Sequence, residues 1–133
     1  MSVERVTYLD SSAIVKLAEV APESAALRQY LHRRRPYISS ALARTEVLRA
    51  LLPRGPEAVR RAQEVLVNID LVRVNDRVLS LAGELPPPTL RTLDAIHLAT
   101  AHLLGGSLGR VVTYDERMLV AARLLGFAVA SPS

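Results

Sequence analysis

Short runs of apolar residues alternate along this chain with longer stretches in which apolar residues recur every three or four positions. Residues 6–9, Val-Thr-Tyr-Leu, read as a short buried strand. Ser11 and Ser12 then offer hydroxyl caps to a helix that runs to about Glu19, with Ile14, Val15 and Ala18 on its apolar side. Pro22-Glu23-Ser24 opens a second helix carrying Ala26, Leu27, Tyr30 and Leu31. It closes in His32-Arg33-Arg34-Arg35 before Pro36, a basic last turn that suits the negative end of the helix dipole. Tyr37-Ile38-Ser39 is the second strand. A helix bearing Leu42, Val47, Leu48, Leu51 and Leu52 follows, stopped by Pro53 and Gly55. Pro56 starts another, with Val59, Ala62, Val65, Leu66 and Ile69 turned inward.

Leu71-Val72-Arg73-Val74 is strand-like, and Asn75-Asp76 can cap a helix reaching about Leu85. The break at Pro86-Pro87-Pro88 is stiff but too short for a domain linker. Residues 90–104 are apolar nearly all round, which predicts a central helix buried on most faces and ended by Gly105-Gly106. Val111-Val112-Thr113 is the fourth strand, residues 116–125 a helix stopped by Gly126, and Phe127-Ala128-Val129 a last edge strand. Strands alternating with helices imply an α/β fold of three layers, a mainly parallel sheet of four to five strands with helices on both faces. The 133 residues suffice for one domain, 1–133, with a real core.

Four acidic residues stand out against this pattern. Asp10 ends the first apolar run and Asp115 closely follows the fourth; parallel sheets point such strand ends at the crevice where ligands bind. Glu46 and Asp94 lie inside apolar helical stretches, where an unpaired carboxylate is costly. Each has an ordinary explanation taken singly. Asp10 and Asp115 are suitable helix caps, although Ser11 and Ser12 could leave Asp10 free. Glu46 can pair with Arg49 one turn on, and Asp94 can complement a helix dipole. Jointly, carboxylates from four distant parts of the chain repel one another unless a divalent cation holds them. The arrangement therefore points to one or two Mg²⁺ or Mn²⁺ ions, with Asp10 and Asp94 as direct ligands, Asp115 next and Glu46 acting through water. Arg91 and His97 flank Asp94 at i−3 and i+3; His97 reads as a hydrogen-bonded histidine that orients a neighbour ahead of a metal or phosphate ligand.

Half the residues are hydrophobic, yet no apolar stretch reaches the ~18 residues that span a bilayer. The opening Met-Ser-Val-Glu-Arg lacks the order of a signal peptide, and the absence of cysteine fits a reducing compartment, so a cytoplasmic protein is expected. The net charge is +4, and Lys16 is the only lysine among 17 basic residues. Arginine forks pair bidentately with phosphate, which suits nucleic acid; codon bias toward arginine explains the same count equally well.

Several segments together resemble one family. Tyr-Leu-Asp-Ser-Ser-Ala-Ile-Val-Lys-Leu (8–17) resembles the first strand and helix of PIN-domain nucleases, and Leu-Arg-Thr-Leu-Asp-Ala-Ile-His-Leu-Ala-Thr-Ala (90–101) their central helix. Val-Val-Thr-Tyr-Asp-Glu-Arg-Met-Leu (111–119) resembles their strand-end Thr-x-Asp segment, and Ser-Ser-Ala-Leu-Ala-Arg-Thr-Glu-Val-Leu-Arg-Ala (39–50) the helix that supplies an acid before the midpoint. The compact length is similar to the VapC type, the ribonuclease toxins of bacterial toxin–antitoxin pairs. The resemblance implies that Asp10, Glu46, Asp94 and Asp115 form the family's acidic quartet, with Ser12 and Thr113 as supporting hydroxyls. It further implies Mg²⁺- or Mn²⁺-dependent cleavage of RNA to 5′-phosphate and 3′-hydroxyl ends. Arg91, bordering the acidic pocket, is expected on charge to hold the RNA backbone. A small VapB-type antitoxin and homodimerisation are implied as well, the latter compatible with exposed apolar positions such as Val15 and Leu27.

Other classes fit less well. A haloacid-dehalogenase-type phosphatase needs a second Asp where Ser12 stands, and a receiver domain needs a lysine at a later strand end. A non-catalytic PIN-like module would carry surplus buried carboxylates that destabilise it. A housekeeping RNA-processing nuclease is the alternative within the enzyme class.

Overall fold

The computed structural model describes residues 5–133; Met1 to Glu4, where no signal-peptide order is expected, lie outside the described residues. Five strands form one sheet in the order β3-β2-β1-β4-β5: β1 (Val6–Leu9), β2 (Tyr37–Ser40), β3 (Asp70–Val72), β4 (Leu108–Val112) and β5 (Val129–Ala130). Every pairing is parallel. The expected third strand lies one residue earlier at its start and the last strand two residues later than the apolar runs suggest. At an edge the backbone partner, not the side-chain pattern, decides where pairing begins.

The period of two in β1 sorts its neighbours into layers. Leu9 packs with Val112 against α1 (Ser11–Ala18), α2 (Ser24–Leu31), α3 (Leu42–Leu51) and α4 (Pro56–Val67). Tyr8 and Val111 face the other way, toward Ala101 of α6 (Thr92–Leu103). On that side α6 also packs against α5 (Asp76–Ala82) and α7 (Glu116–Leu124). The result is the expected α/β/α sandwich. Seven consecutive residues of α6, Ala95 to Ala101, are buried, so this helix is enclosed on most faces as its all-round apolar character requires.

Local chemistry accounts for the helix ends. Asn75 caps α5 by accepting the Val78 N–H, and Pro56 occupies the first turn of α4, where no backbone donor is lost. Gly126, at φ 86°, turns the chain after α7 through a region that side chains disfavour. The run His32–Arg35 lies just beyond α2 rather than inside its last turn, although the Arg34 guanidinium still reaches back to the Tyr30 carbonyl at 2.6 Å. Leu27, expected to be exposed, is fully buried beneath α2, and Val15 is partly buried against the same core. Burial removes Leu27 as a candidate for an interface, while Val15 keeps only part of its surface exposed. Among the described residues no helix is long and apolar enough to cross a membrane.

Candidate active site

Asp10 sits where β1 stops and α1 begins. Its side chain, not those of Ser11 and Ser12, caps α1, accepting the Ala13 N–H at 3.0 Å. Strand geometry explains the switch. The extended backbone of the strand end places residue 10 in the capping conformation, and the serines fall inside the first turn. Ser12 Oγ instead donates to Asp10 Oδ1 at 2.7 Å and accepts the Tyr114 N–H at 2.8 Å. Thr113 Oγ1 donates to Asp10 Oδ2 and accepts the Asp115 N–H at 3.1 Å. Two hydroxyls thus stitch the ends of neighbouring strands β1 and β4 around one carboxylate. Asp10 is 4% exposed, and burial pushes its carboxyl above the usual range even though Thr113, Ser12, His97 and the Ala13 amide oppose the shift.

Glu46 projects from the middle of α3 and does not pair with Arg49. Its Oε1 takes the Ser11 hydroxyl at 2.5 Å and lies 2.6 Å from His97 Nε2. Burial alone would raise the Glu46 carboxyl, but the hydrogen bonds from His97 and Ser11 outweigh it and hold the group below its ordinary range. His97 is 2% exposed; its Nδ1 is 2.7 Å from the Tyr8 hydroxyl and its Nε2 also lies 3.2 Å from Ser11 Oγ. Burial shifts the Tyr8 phenol upward, which keeps it a proton donor. A Tyr8 O–H donated to Nδ1 leaves an Nε2–H to be donated to Glu46, so both ring nitrogens are used. Tyr8 and Ser11 were missed as parts of the site. The signal for Tyr8 was present, since a tyrosine in a buried strand needs a partner for its hydroxyl.

Asp94 and Asp115 are built differently. Asp94 lies in the first turn of α6, which follows a loop from α5 and not a strand; only Asp10 and Asp115 occupy strand-to-helix junctions. Asp115 caps α7 through Oδ1, accepting the amides of Arg117 at 2.9 Å and Met118 at 3.1 Å. The second oxygen of each is held by one guanidinium: Arg91 Nε is 3.0 Å from Asp94 Oδ2, and an Arg91 terminal nitrogen is 2.6 Å from Asp115 Oδ2.

These residues line one cleft of about 300 Å³ at the carboxyl edge of the sheet. Asp10, Glu46, Asp94 and Asp115 share its wall with Ser11, Ser12, Arg91, Thr92, Leu93 and His97. Thr113 stands behind Asp10. Four carboxylates in a cleft without sulfur form an oxygen-rich donor set, which matches a hard divalent cation. Among the described residues, however, no three acidic or histidine side chains converge closely enough on one point to hold an ion as they stand. Arg91 occupies one oxygen of Asp94 and one of Asp115.

The sequence profile of the PIN domain matches residues 7–124. The chain is 62% identical over 126 residues to Ribonuclease VapC46 of Mycobacterium tuberculosis (strain ATCC 25618 / H37Rv), an alignment that covers 95% of this chain and 97% of that one. It is 41% identical over 129 residues to Ribonuclease VapC35 of Mycobacterium tuberculosis (strain CDC 1551 / Oshkosh), covering 94% and 96%. Among solved structures, the fold is similar to that of the sarcin-ricin loop cleaving toxin VapC20 of Mycobacterium tuberculosis, with a TM-score of 0.76 at 16% identity over 95% of this chain and 99% of that one. It is likewise similar to a chain of a toxin–antitoxin complex from Klebsiella pneumoniae, with a TM-score of 0.70 at 20% identity over 96% and 98%.

Proposed function

The chain belongs to the PIN-domain family, and from that premise we propose that it is a metal-dependent endoribonuclease, the toxin of a type II toxin–antitoxin pair. The observation that carries this reading is the gathering of Asp10, Glu46, Asp94 and Asp115, from four separate elements, into one cleft. The curated relatives that match nearly end to end are ribonucleases by name, which supports RNA as the substrate. In this reading residues 1–133 act as one PIN domain in the cytoplasm.

The carboxylates suit one or two Mg²⁺ or Mn²⁺ ions, with Asp10 and Asp94 as direct ligands, Asp115 beside them and Glu46 reaching through water. Such an ion would supply a water of lowered pKa and offset charge at the phosphodiester under attack. The protein's own part is positioning. Ser12 and Thr113 hold both oxygens of Asp10, and the chain from Tyr8 through His97 holds Glu46. Loading requires Arg91 to release Asp94 and Asp115, and its half-exposed side chain leaves that movement open. Once released, the guanidinium stands at the rim of the cleft, suited to grip a backbone phosphate.

A small antitoxin is the expected partner, a reading supported by the fold's likeness to a chain of a toxin–antitoxin complex. Occlusion of the acidic cleft is how such a partner would silence it. Homodimerisation belongs to the same proposal, and sedimentation of the purified chain tests it.

The decisive experiment combines cleavage and growth. Purified chain should cleave structured RNA with Mg²⁺ or Mn²⁺, stop with EDTA, and arrest growth when expressed alone, whereas Asp94→Asn should do neither. Cleavage that survives thorough chelation would overturn the metal mechanism. Active nuclease that never slows growth would instead favour a housekeeping role.

A further inference from the structure

At the opposite edge of the sheet from the acidic cleft, five arginines surround one hollow of about 270 Å³: Arg5, Arg33, Arg34, Arg35 and Arg110. All five are exposed, and among the described residues no carboxylate lines the hollow. Among the described residues none of the five forms an ion pair. Their charge exceeds the net +4 of the whole chain, so the rest of the molecule is close to neutral. Codon bias can explain how many arginines there are, but not why five from three distant segments collect here with no acidic partner among the described residues.

The cluster is ordered by its surroundings. The Arg34 guanidinium lies over the Tyr30 ring at 3.9 Å and donates to the Tyr30 carbonyl, while Arg35 lies over Tyr37 at 5.6 Å. Thr7 Oγ1 donates to the Arg34 carbonyl at 2.7 Å, tying the basic loop to the start of β1. The floor is nearly bare backbone. A Cβ at Gly109 would come within 3.1 Å of the Val6 carbonyl and 3.2 Å of Arg5 Cβ, beside an irregularity in the β1–β4 register. Guanidinium groups crowded around such a hollow repel one another, and a polyanion relieves that repulsion. Planar forks partly stacked on tyrosine fit phosphodiesters better than a point charge does.

We propose that this hollow is a second RNA-binding site, an anchor for substrate phosphates that lie outside the cleaved segment. The inference rests on the reading of RNA as substrate. Four residues of β1 separate the two edges by about 13 Å, so only an RNA longer than a few nucleotides can engage both. The anchor favours long or structured RNA, while a short oligonucleotide needs the acidic cleft alone.

The test compares wild type with Arg5→Gln/Arg33→Gln/Arg35→Gln, which spares the Arg34 contacts to Tyr30. Binding of a stem-loop RNA of ordinary tRNA-arm length is measured in EDTA across a salt series, so that no cleavage is needed. The triple variant should bind at least ten-fold more weakly, and its slope of log affinity against log salt should shrink by about 2, at ~0.7 per lost contact to single-stranded RNA. The corresponding triple lysine variant should recover most of the slope. With metal restored, KM for the stem-loop should rise while cleavage of a short oligonucleotide stays at the wild-type rate. Wild-type affinity and slope in the glutamine variant would overturn the proposal. So would binding of a poly-glutamate peptide at the hollow with no effect on RNA, which would make it a protein-docking face. A failed nuclease reading shows separately, as absence of cleavage of either RNA by the wild type.

Discussion

The acidic cleft has two halves that hold their carboxylates by opposite means. In the inner half, Asp10 and Glu46 are fixed by hydroxyls, an amide and an imidazole carried on strand ends and helices that pack into the core. In the outer half, the free oxygens of Asp94 and Asp115 are bridged by a guanidinium on a half-exposed side chain. In the proposed metal-bound state the inner donors can stay in place, because they are short side chains and an amide fixed by the core. The outer donor cannot, because it carries the same sign as the ion. Such a division lets one half of a site be preorganised while the other half is exchanged between an internal and an external cation.

The largest effect should come from the inner half. Asp10→Asn keeps an oxygen for the Ala13 amide, so the melting temperature in EDTA should hold or rise, while RNA cleavage falls by at least ~100-fold. Removing partners that merely orient metal ligands already costs ~10–100-fold. A collapse of the melting temperature would show that Asp10 is foremost a structural cap and would break the comparison at its root.

His97→Ala should rank second, lowering metal affinity or cleavage by ~10–100-fold. It also leaves the buried Tyr8 hydroxyl without its partner, a cost of ~1–3 kcal/mol read in chemical denaturation. If His97 works through Glu46, the double variant with Glu46→Gln should lose little more activity than the worse single. Strictly multiplicative losses would separate the two residues.

A change of opposite sign is expected in the outer half. Arg91→Ala removes the internal competitor, so in the absence of RNA the Mn²⁺ midpoint for thermal stabilisation should move a few-fold lower, a modest shift because exposed ion pairs are weak. An unchanged or higher midpoint would mean that the guanidinium does not compete and that the outer acids are not ligands.

The smallest effect is in pH dependence. The Asp10 carboxyl is raised in the folded state, so the folded chain holds that proton more tightly than the unfolded one. That contribution to stability is fully present below the ordinary carboxyl value and is lost as pH rises through the raised one. Glu46, held lower when folded, runs in the opposite sense, losing its contribution as pH falls through its folded-state value. The melting-temperature difference between Asp10→Asn and wild type in EDTA should therefore widen as pH rises above the ordinary carboxyl range. A constant difference would place Asp10 in a solvated environment.

Much of this protein was readable from local pattern. The order of strands and helices follows from periods of two and about 3.6, and the all-round apolar stretch that became α6 could satisfy its side chains only by enclosure. The four acids stood out because carboxylates are expensive in apolar settings wherever they occur. What the pattern left open depends on contacts between residues far apart in the chain, which crossovers and layer packing alone decide. The geometry of the β1–α1 junction gave the cap to Asp10 over the serines. Arg91 was legible as a neighbour of Asp94 on one helix, but its second bond, to Asp115, exists only because α7 packs beside α6. Tyr8 reaches His97 across 89 positions because β1 turns alternate side chains toward opposite layers. Leu27 looked exposed until α2 settled on the core, and the arginines at 5, 33–35 and 110 became one hollow only when β1, β4 and the turn after α2 met at one edge. Periodicity is a property of neighbours and can be read from the chain; juxtaposition is a property of topology and waits for the fold.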